Sequence, residues 1–190
     1  MNALAATARV RLAGPALGGS LWLLLLASAC GGASKGEAAA EGGLLSVGAA
    51  APEVVAETAD GKALKLSQLK GQPVAVYFYP KDETPGCTKQ ACAFRDAWEQ
   101  LQSAGVHVIG VSRDDAESHR AFRAHHKLPF PLAADTDGAL QAAFGVPSRA
   151  KGIASRVTFL VGPDGKIAKV WPKVDPAVDA ENVIAAAKGL

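Results

Sequence analysis

Two cysteines, Cys87 and Cys92, lie five residues apart behind an aromatic run and a Pro-Gly turn, in Tyr77-Phe-Tyr-Pro80-Lys-Asp-Glu-Thr84-Pro-Gly-Cys87-Thr-Lys-Gln90-Ala-Cys92. The turn sets Cys87 where a helix begins. Backbone N–H groups there have no intrahelical acceptor and the helix dipole is positive, a setting that favours thiolate over thiol. Thiolate is the reactive form, so the pair points to redox or nucleophilic chemistry. On one continuous helix over residues 88–102, beginning around Cys87, five residues turn about 500° and rise about 7.5 Å, which puts the two Cα atoms roughly 8.6 Å apart. A disulfide needs about 4.4–6.8 Å. A resting structural bridge is therefore the poorer reading. A bond that forms only after the first turn unwinds is a redox cycle coupled to local unfolding.

In such a cycle the Cys87 thiolate attacks an oxidant and becomes a sulfenic acid. Cys92 resolves it as a disulfide, and an external dithiol resets the pair by exchange. Cleaving a peroxide O–O bond also requires donors for the departing oxygen. Thr84, three residues before Cys87, offers a hydroxyl. N–H groups at the helix start offer more, and a guanidinium would hold the thiolate and orient the peroxide. This chemistry calls for no metal or cofactor. His119, His125 and His126 fall on a polar helix and read as surface residues rather than metal ligands, and Arg95 and Asp96 as a local surface pair. Two other classes compete. A thiol–disulfide oxidoreductase expects Cys-x-x-Cys at the helix start. A copper-handling thioredoxin-fold protein would use two thiolates and a distant imidazole, with three residues between the cysteines where this chain has four.

The elements that must position these groups follow from hydrophobic period. Residues 54–66 read as a β-hairpin about Asp60-Gly61, and Ser67 to Gly71 as a short capped turn. Pro73 to Tyr79 and His107 to Ser112 are buried strands. Ala91, Phe94, Trp98 and Leu101 recur at helical spacing. Asp115 to His126 is an amphipathic helix burying Ala116, Ala121 and Phe122; Leu132 to Ala134 is a short strand, and Gly138 to Phe144 a helix. Arg156 to Val161 and Lys166 to Trp171 form a hairpin about Gly162-Pro-Asp-Gly165, and Asp179 to Lys188 closes the chain as a helix. This order predicts an α/β protein of thioredoxin-like fold, a mixed central sheet flanked by helices.

With 190 residues and 49% hydrophobic content the chain supports one real core. Arg9 and Arg11 precede an uncharged stretch from Leu12 to Ala29, an export signal by pattern. Without residues 1–29 the balance is 18 basic (20 minus 2) against 18 acidic, which excludes a nucleic-acid surface. The signal ends Ala27-Ser-Ala-Cys30, which resembles a bacterial lipobox with Leu26 one position too early. Lipidation of Cys30 also resolves the odd count of three cysteines. Conventional cleavage after Ala29 and retention as an uncleaved anchor are the competing readings. Residues 1–29 are thus read as a signal peptide, 30–43 as a Gly- and Ala-rich flexible tether, and 44–190 as the folded domain. The expected location is the cell envelope or periplasm, with the domain tied to the membrane by a lipid anchor.

Pro80-Lys-Asp-Glu-Thr84-Pro-Gly-Cys87 resembles the Pro-x-x-x-Thr-x-x-Cys signature of peroxiredoxins, and the run to Cys92 is similar to the bacterioferritin-comigratory, or Q-type, subgroup. The resemblance spans about Leu45 to Gly189 and includes Val47-Gly-Ala-Ala-Ala-Pro52, Leu66-Ser-Gln-Leu-Lys-Gly71 and Ser155-Arg-Val-Thr-Phe-Leu160. It implies an atypical two-cysteine peroxidase acting on hydrogen peroxide and organic hydroperoxides. Cys87 would be peroxidatic, Cys92 resolving, Thr84 and Pro80 part of the site, and Arg156 the active-site arginine. It also implies a thioredoxin-like dithiol as reductant and a monomeric state. The chain departs from the pattern twice. Gln90 stands where the family usually has Glu, removing a charge beside the arginine, and Gly145 to Ala154 replaces a longer aromatic loop. Mass spectrometry of the mature N-terminus tests the export reading: a diacylated Cys30 is expected, and an unmodified Cys30 start would indicate ordinary secretion.

Overall fold

The structure is a computed structural model, and it describes residues 43–190. The export segment, nearly all of the tether and Cys30 lie outside the described residues. Strands β1 (Val55–Glu57) and β2 (Ala63–Lys65) form the first hairpin, turned at Gly61 in the left-handed region at φ 77°. A 3-10 turn over Leu66–Leu69 leads to β3 (Val74–Phe78). Helices α1 (Pro85–Asp96) and α2 (Trp98–Ser103), strand β4 (His107–Ser112), helix α3 (Ala116–His126) and strand β5 (Leu132–Ala134) follow. Helix α4 (Ala139–Ala143), strands β6 (Val157–Val161) and β7 (Ile167–Trp171) and helix α5 (Asp179–Ala187) complete the chain. No helix among the described residues is long and apolar enough to cross a membrane.

The strands form one seven-stranded sheet in the order β2-β1-β5-β4-β3-β6-β7. β4 runs parallel to both β3 and β5, while β6 and β7 return antiparallel. This is the mixed, thioredoxin-like architecture expected from the element order. Side chains alternate across the sheet. Val74, Val76 and Phe78 of β3 join Ile109, Val111, Phe144 and Phe159 on one face. Ala75, Tyr77 and Tyr79 point to the other, where Cys87, Ala91, Phe94, Phe122 and Val183 cover them. The cysteine helix therefore packs on the second face, beside α5.

Two expectations change in detail. The helix expected over residues 88–102 starts at Pro85 and breaks at Ala97, whose φ of −90° and ψ of 9° lie in the bridge region. Proline suits the first helical position because it has no N–H to leave unpaired there; nothing in the sequence marks the break. Both cysteines still fall within α1, so an intact helix keeps them too far apart to bond. In α3, Ala121 is exposed while His119 and Arg123 are buried with Phe122. Positions 119, 122 and 123 share one face, but hydropathy does not register polar side chains buried through hydrogen bonds.

Candidate active site

Strand β3 ends at Phe78; the next residue, Tyr79, still donates its N–H to Val111 O, and the chain then enters a loop at the partly buried Pro80. Asp82 anchors this loop. Its carboxylate accepts from the Tyr79 hydroxyl (2.7 Å) and the Ser118 hydroxyl (2.7 Å), and it meets His119 Nδ1 at 2.9 Å. Its backbone N–H donates to Asp114 Oδ2 at 2.9 Å. Burial alone pushes the Asp82 carboxyl up, but the bonds and charge of His119 and the Ser118 and Tyr79 hydroxyls outweigh it and leave it below the ordinary carboxylate range. His119, expected on the surface, is therefore an interior group tying α3 to the loop.

Thr84 is the N-cap residue of α1, yet its hydroxyl donates to Lys81 O (2.9 Å) and does not cap the helix. No acidic residue occupies the first turn. The positive helix end is thus left uncompensated from within the helix, and Cys87 sits in that turn, 1% exposed.

The guanidinium arrives from the neighbouring strand, on the same face of the sheet as Cys87. Phe78 pairs with Val157 across β3 and β6, so Arg156, one residue before β6, lies level with the end of β3. Its Nη2 donates to Cys87 Sγ at 3.4 Å. A side chain at Gly86 would crowd this approach, since an added Cβ there would lie 3.2 Å from Nη2. Arg156 Nη1 donates to Gln90 Oε1, and Gln90 Nε2 donates to Asp179 Oδ2 (2.6 Å), which also accepts from the Thr158 hydroxyl (2.8 Å). Gln90 is thus a relay. The carboxylate absent from position 90 is supplied by Asp179, the first residue of α5. Burial pushes the Asp179 carboxyl above its usual range, against the lowering effects of Gln90, Thr158 and Arg156. Its Oδ1 is buried without a partner.

The structure therefore brings together Cys87 and Arg156, with Thr84 at the N-cap position ahead of the sulfur, its hydroxyl turned to Lys81 O, and Pro80 opening the loop. Cys92 lies on the same helix, half-buried, and both cysteines are free thiols. Sequence reasoning missed Asp179, Asp82 and His119. An Asp opening a C-terminal helix reads as a surface residue complementing the dipole, and only the uncharged Gln90 hinted at a carboxylate elsewhere.

A buried thiol at a helix start, under an arginine and on a mixed seven-stranded sheet, defines a thioredoxin-fold thiol protein. Residues 47–170 match the AhpC/TSA family. The chain belongs to that family, in its bacterioferritin-comigratory, Q-type peroxiredoxin branch. It is 46% identical over 137 residues to a Coxiella burnetii protein named peroxiredoxin bcp, covering 68% of this chain and 90% of that one. It is 47% identical to the chloroplastic peroxiredoxin Q of Oryza sativa subsp. japonica, covering 68% of this chain but 60% of the rice protein. Among solved structures, Xanthomonas campestris peroxiredoxin Q matches with a TM-score of 0.65 at 36% identity, covering 72% of this chain and 90% of that one. The bacterioferritin comigratory protein of Xanthomonas campestris, described for its alkyl peroxide reduction activity, matches at 0.66 and 33% identity, covering 76% and 98%.

Asp179 yields a signed pH prediction. A carboxyl raised on folding contributes stability that is fully present below its unfolded value, near 3.9, and lost as pH rises through the raised value. Asp179→Asn should therefore melt above wild type at pH 7, with the difference vanishing in acid below the unfolded value. It should also lower peroxide-dependent turnover, because Gln90 loses its charged partner. A melting difference independent of pH would contradict the raised carboxyl.

Proposed function

We propose that the domain is a two-cysteine thiol peroxidase acting on hydrogen peroxide and organic hydroperoxides. The observation that carries this reading is the Arg156 guanidinium donating to the buried Cys87 sulfur at the uncapped start of α1. The Cys87 thiolate attacks one peroxide oxygen. An S–O bond forms, the O–O bond breaks, and the other oxygen leaves as an alkoxide or hydroxide that takes up a proton. Arg156 and the first-turn N–H groups can stabilise the charge developing on that oxygen. The Thr84 hydroxyl, oriented by its bond to Lys81 O, retains lone pairs that can accept from the peroxide's own O–H.

The product is a Cys87 sulfenic acid. Cys92 attacks its sulfur, the S–S bond forms and water departs. Both cysteines lie in α1 at a Cα separation of roughly 8.6 Å in an intact helix, so this step requires the first turn to unwind. A thioredoxin-like dithiol then reduces the bridge by exchange, donating two electrons and two protons to the Cys87–Cys92 pair and leaving as a disulfide itself. In this reading the enzyme works as a monomer, and Cys30 tethers it to the membrane outside the cytosol, supported by the lipobox-like Ala27-Ser-Ala-Cys30.

Peroxide consumption with a dithiol reductant tests the assignment. Cys87→Ser should abolish it, and full activity in that variant would refute the reading. Cys92→Ser should perform one turnover, accumulate a trappable sulfenic acid and then slow. Arg156→Ala should slow the peroxide step by about 10²–10³-fold, the usual cost of one preorganised donor.

A further inference from the structure

We infer that Glu83, His125 and His126 form a divalent transition-metal site that pins the active-site loop to the end of α3. Neighbouring helical residues project about 100° apart and do not normally face one another. Here the two imidazoles converge. His125 Nδ1 lies 3.1 Å from Glu83 Oε1 and His126 Nε2 lies 2.9 Å from Oε2. The rings are 4.3 Å apart, and one ligating atom from each of the three residues falls within 4.8 Å of the others. The convergence occurs in the last turn of α3, ended by Lys127 in the left-handed region at φ 52°, where the negative end of the helix dipole favours a cation. Glu83 is itself left-handed, at φ 58°. That conformation is strained for a glutamate and persists only where its surroundings impose it.

Two imidazoles and a carboxylate suit Zn²⁺, Cu²⁺ or Ni²⁺ better than Ca²⁺ or Mg²⁺, and leave coordination positions for water. The approach is open, with the His125 side chain 70% exposed and that of Glu83 47%. Arg95 donates to His126 O, and its charge is paired with Asp96 at 2.8 Å. Without metal, the exposed Glu83–His125 contact contributes little to holding the loop. With metal it becomes a second tie to α3, beside the buried Asp82–His119 pair.

The consequence rests on the peroxidase reading. Glu83 lies four residues before Cys87, in the segment next to the turn that must unwind for the disulfide to close. A bound ion should leave the peroxide reaction unchanged and slow closure. Binding itself is measured by calorimetric titration of Zn²⁺ into the full chain with all three cysteines replaced by serine, which removes competing thiols. One-to-one binding is expected, weakened by at least roughly tenfold in His125→Ala, since even loss of an outer-sphere partner costs about 10–100-fold. His125→Asn serves as a second variant, and the metal-free melting temperature checks the fold of both. Equal affinity in folded variants overturns the site. In single-turnover oxidation of the wild-type chain, Zn²⁺ should slow disulfide closure and should not do so in His125→Ala. Slowing that is equal in both means capture by the thiols, and no slowing means no clamp; either overturns the inferred consequence. Metal binding in a chain without peroxidase activity would instead defeat the peroxidase reading and leave the site standing.

Discussion

The hydrogen bond from Arg156 to the Cys87 sulfur joins groups 69 residues apart, and most of the domain serves to make it. Register between β3 and β6 sets the arginine level with the end of the central strand. Gly86 leaves room for the guanidinium. Gln90 and Asp179 then fix its other arm, and Thr158, one turn of the strand pleat beyond Arg156, holds Asp179 in place. Hydrogen bonds to charged groups contribute about 1.5–3 kcal/mol each. A chain of them across α1, β6 and α5 is sufficient to hold a guanidinium against a sulfur that is itself buried.

In the proposed cycle the same arrangement must be released at every turnover. Cys87 belongs to the apolar layer that includes Tyr77, Ala91 and Phe94, so the sulfur is part of the core as well as of the site. The end of the helix that carries it is weak. Pro85 contributes no N–H, Gly86 is a poor helix former by about 1 kcal/mol relative to alanine, and no side chain caps the turn. Deeper in the helix, Ala91 and Phe94 are fully enclosed, and before it Asp82 ties the loop to α3. The segment left free to rearrange between these two anchors contains Thr84, Cys87 and Gln90. Unwinding there would break the Gln90 relay and free Cys87 from Arg156 at once, so that in the proposed cycle loss of the reactive geometry and closure of the disulfide are one event.

Much of this was legible in the sequence. The sheet and its helices followed from periodicity because each strand and helix buries a regular set of apolar residues, and Cys87, Cys92 and Thr84 followed from their spacing about the Pro-Gly turn. Arg156 came from likeness to a family motif, since a single arginine before a strand has no distinguishing pattern. Asp179 and His119 were not legible. Each is a polar residue buried because a distant partner satisfies it, and the partner is set by how α5 packs on α1 or α3 on the loop. The left-handed backbone of Glu83 and the convergence of His125 and His126 are likewise products of tertiary structure, invisible to a reading of composition.

The central claim is that Cys87 and Cys92 close a bond only by unwinding the helix that holds them both. Hydrogen exchange of the reduced chain, compared with the chain treated with one equivalent of hydrogen peroxide and mapped by peptide mass spectrometry, tests it most directly. The account predicts a Cys87–Cys92 disulfide together with lost protection in residues 84–92, while peptides covering Phe94 and β3 stay protected. A Cys87–Cys92 disulfide with the first turn of α1 still protected, or a bridge between two chains in its place, would contradict it.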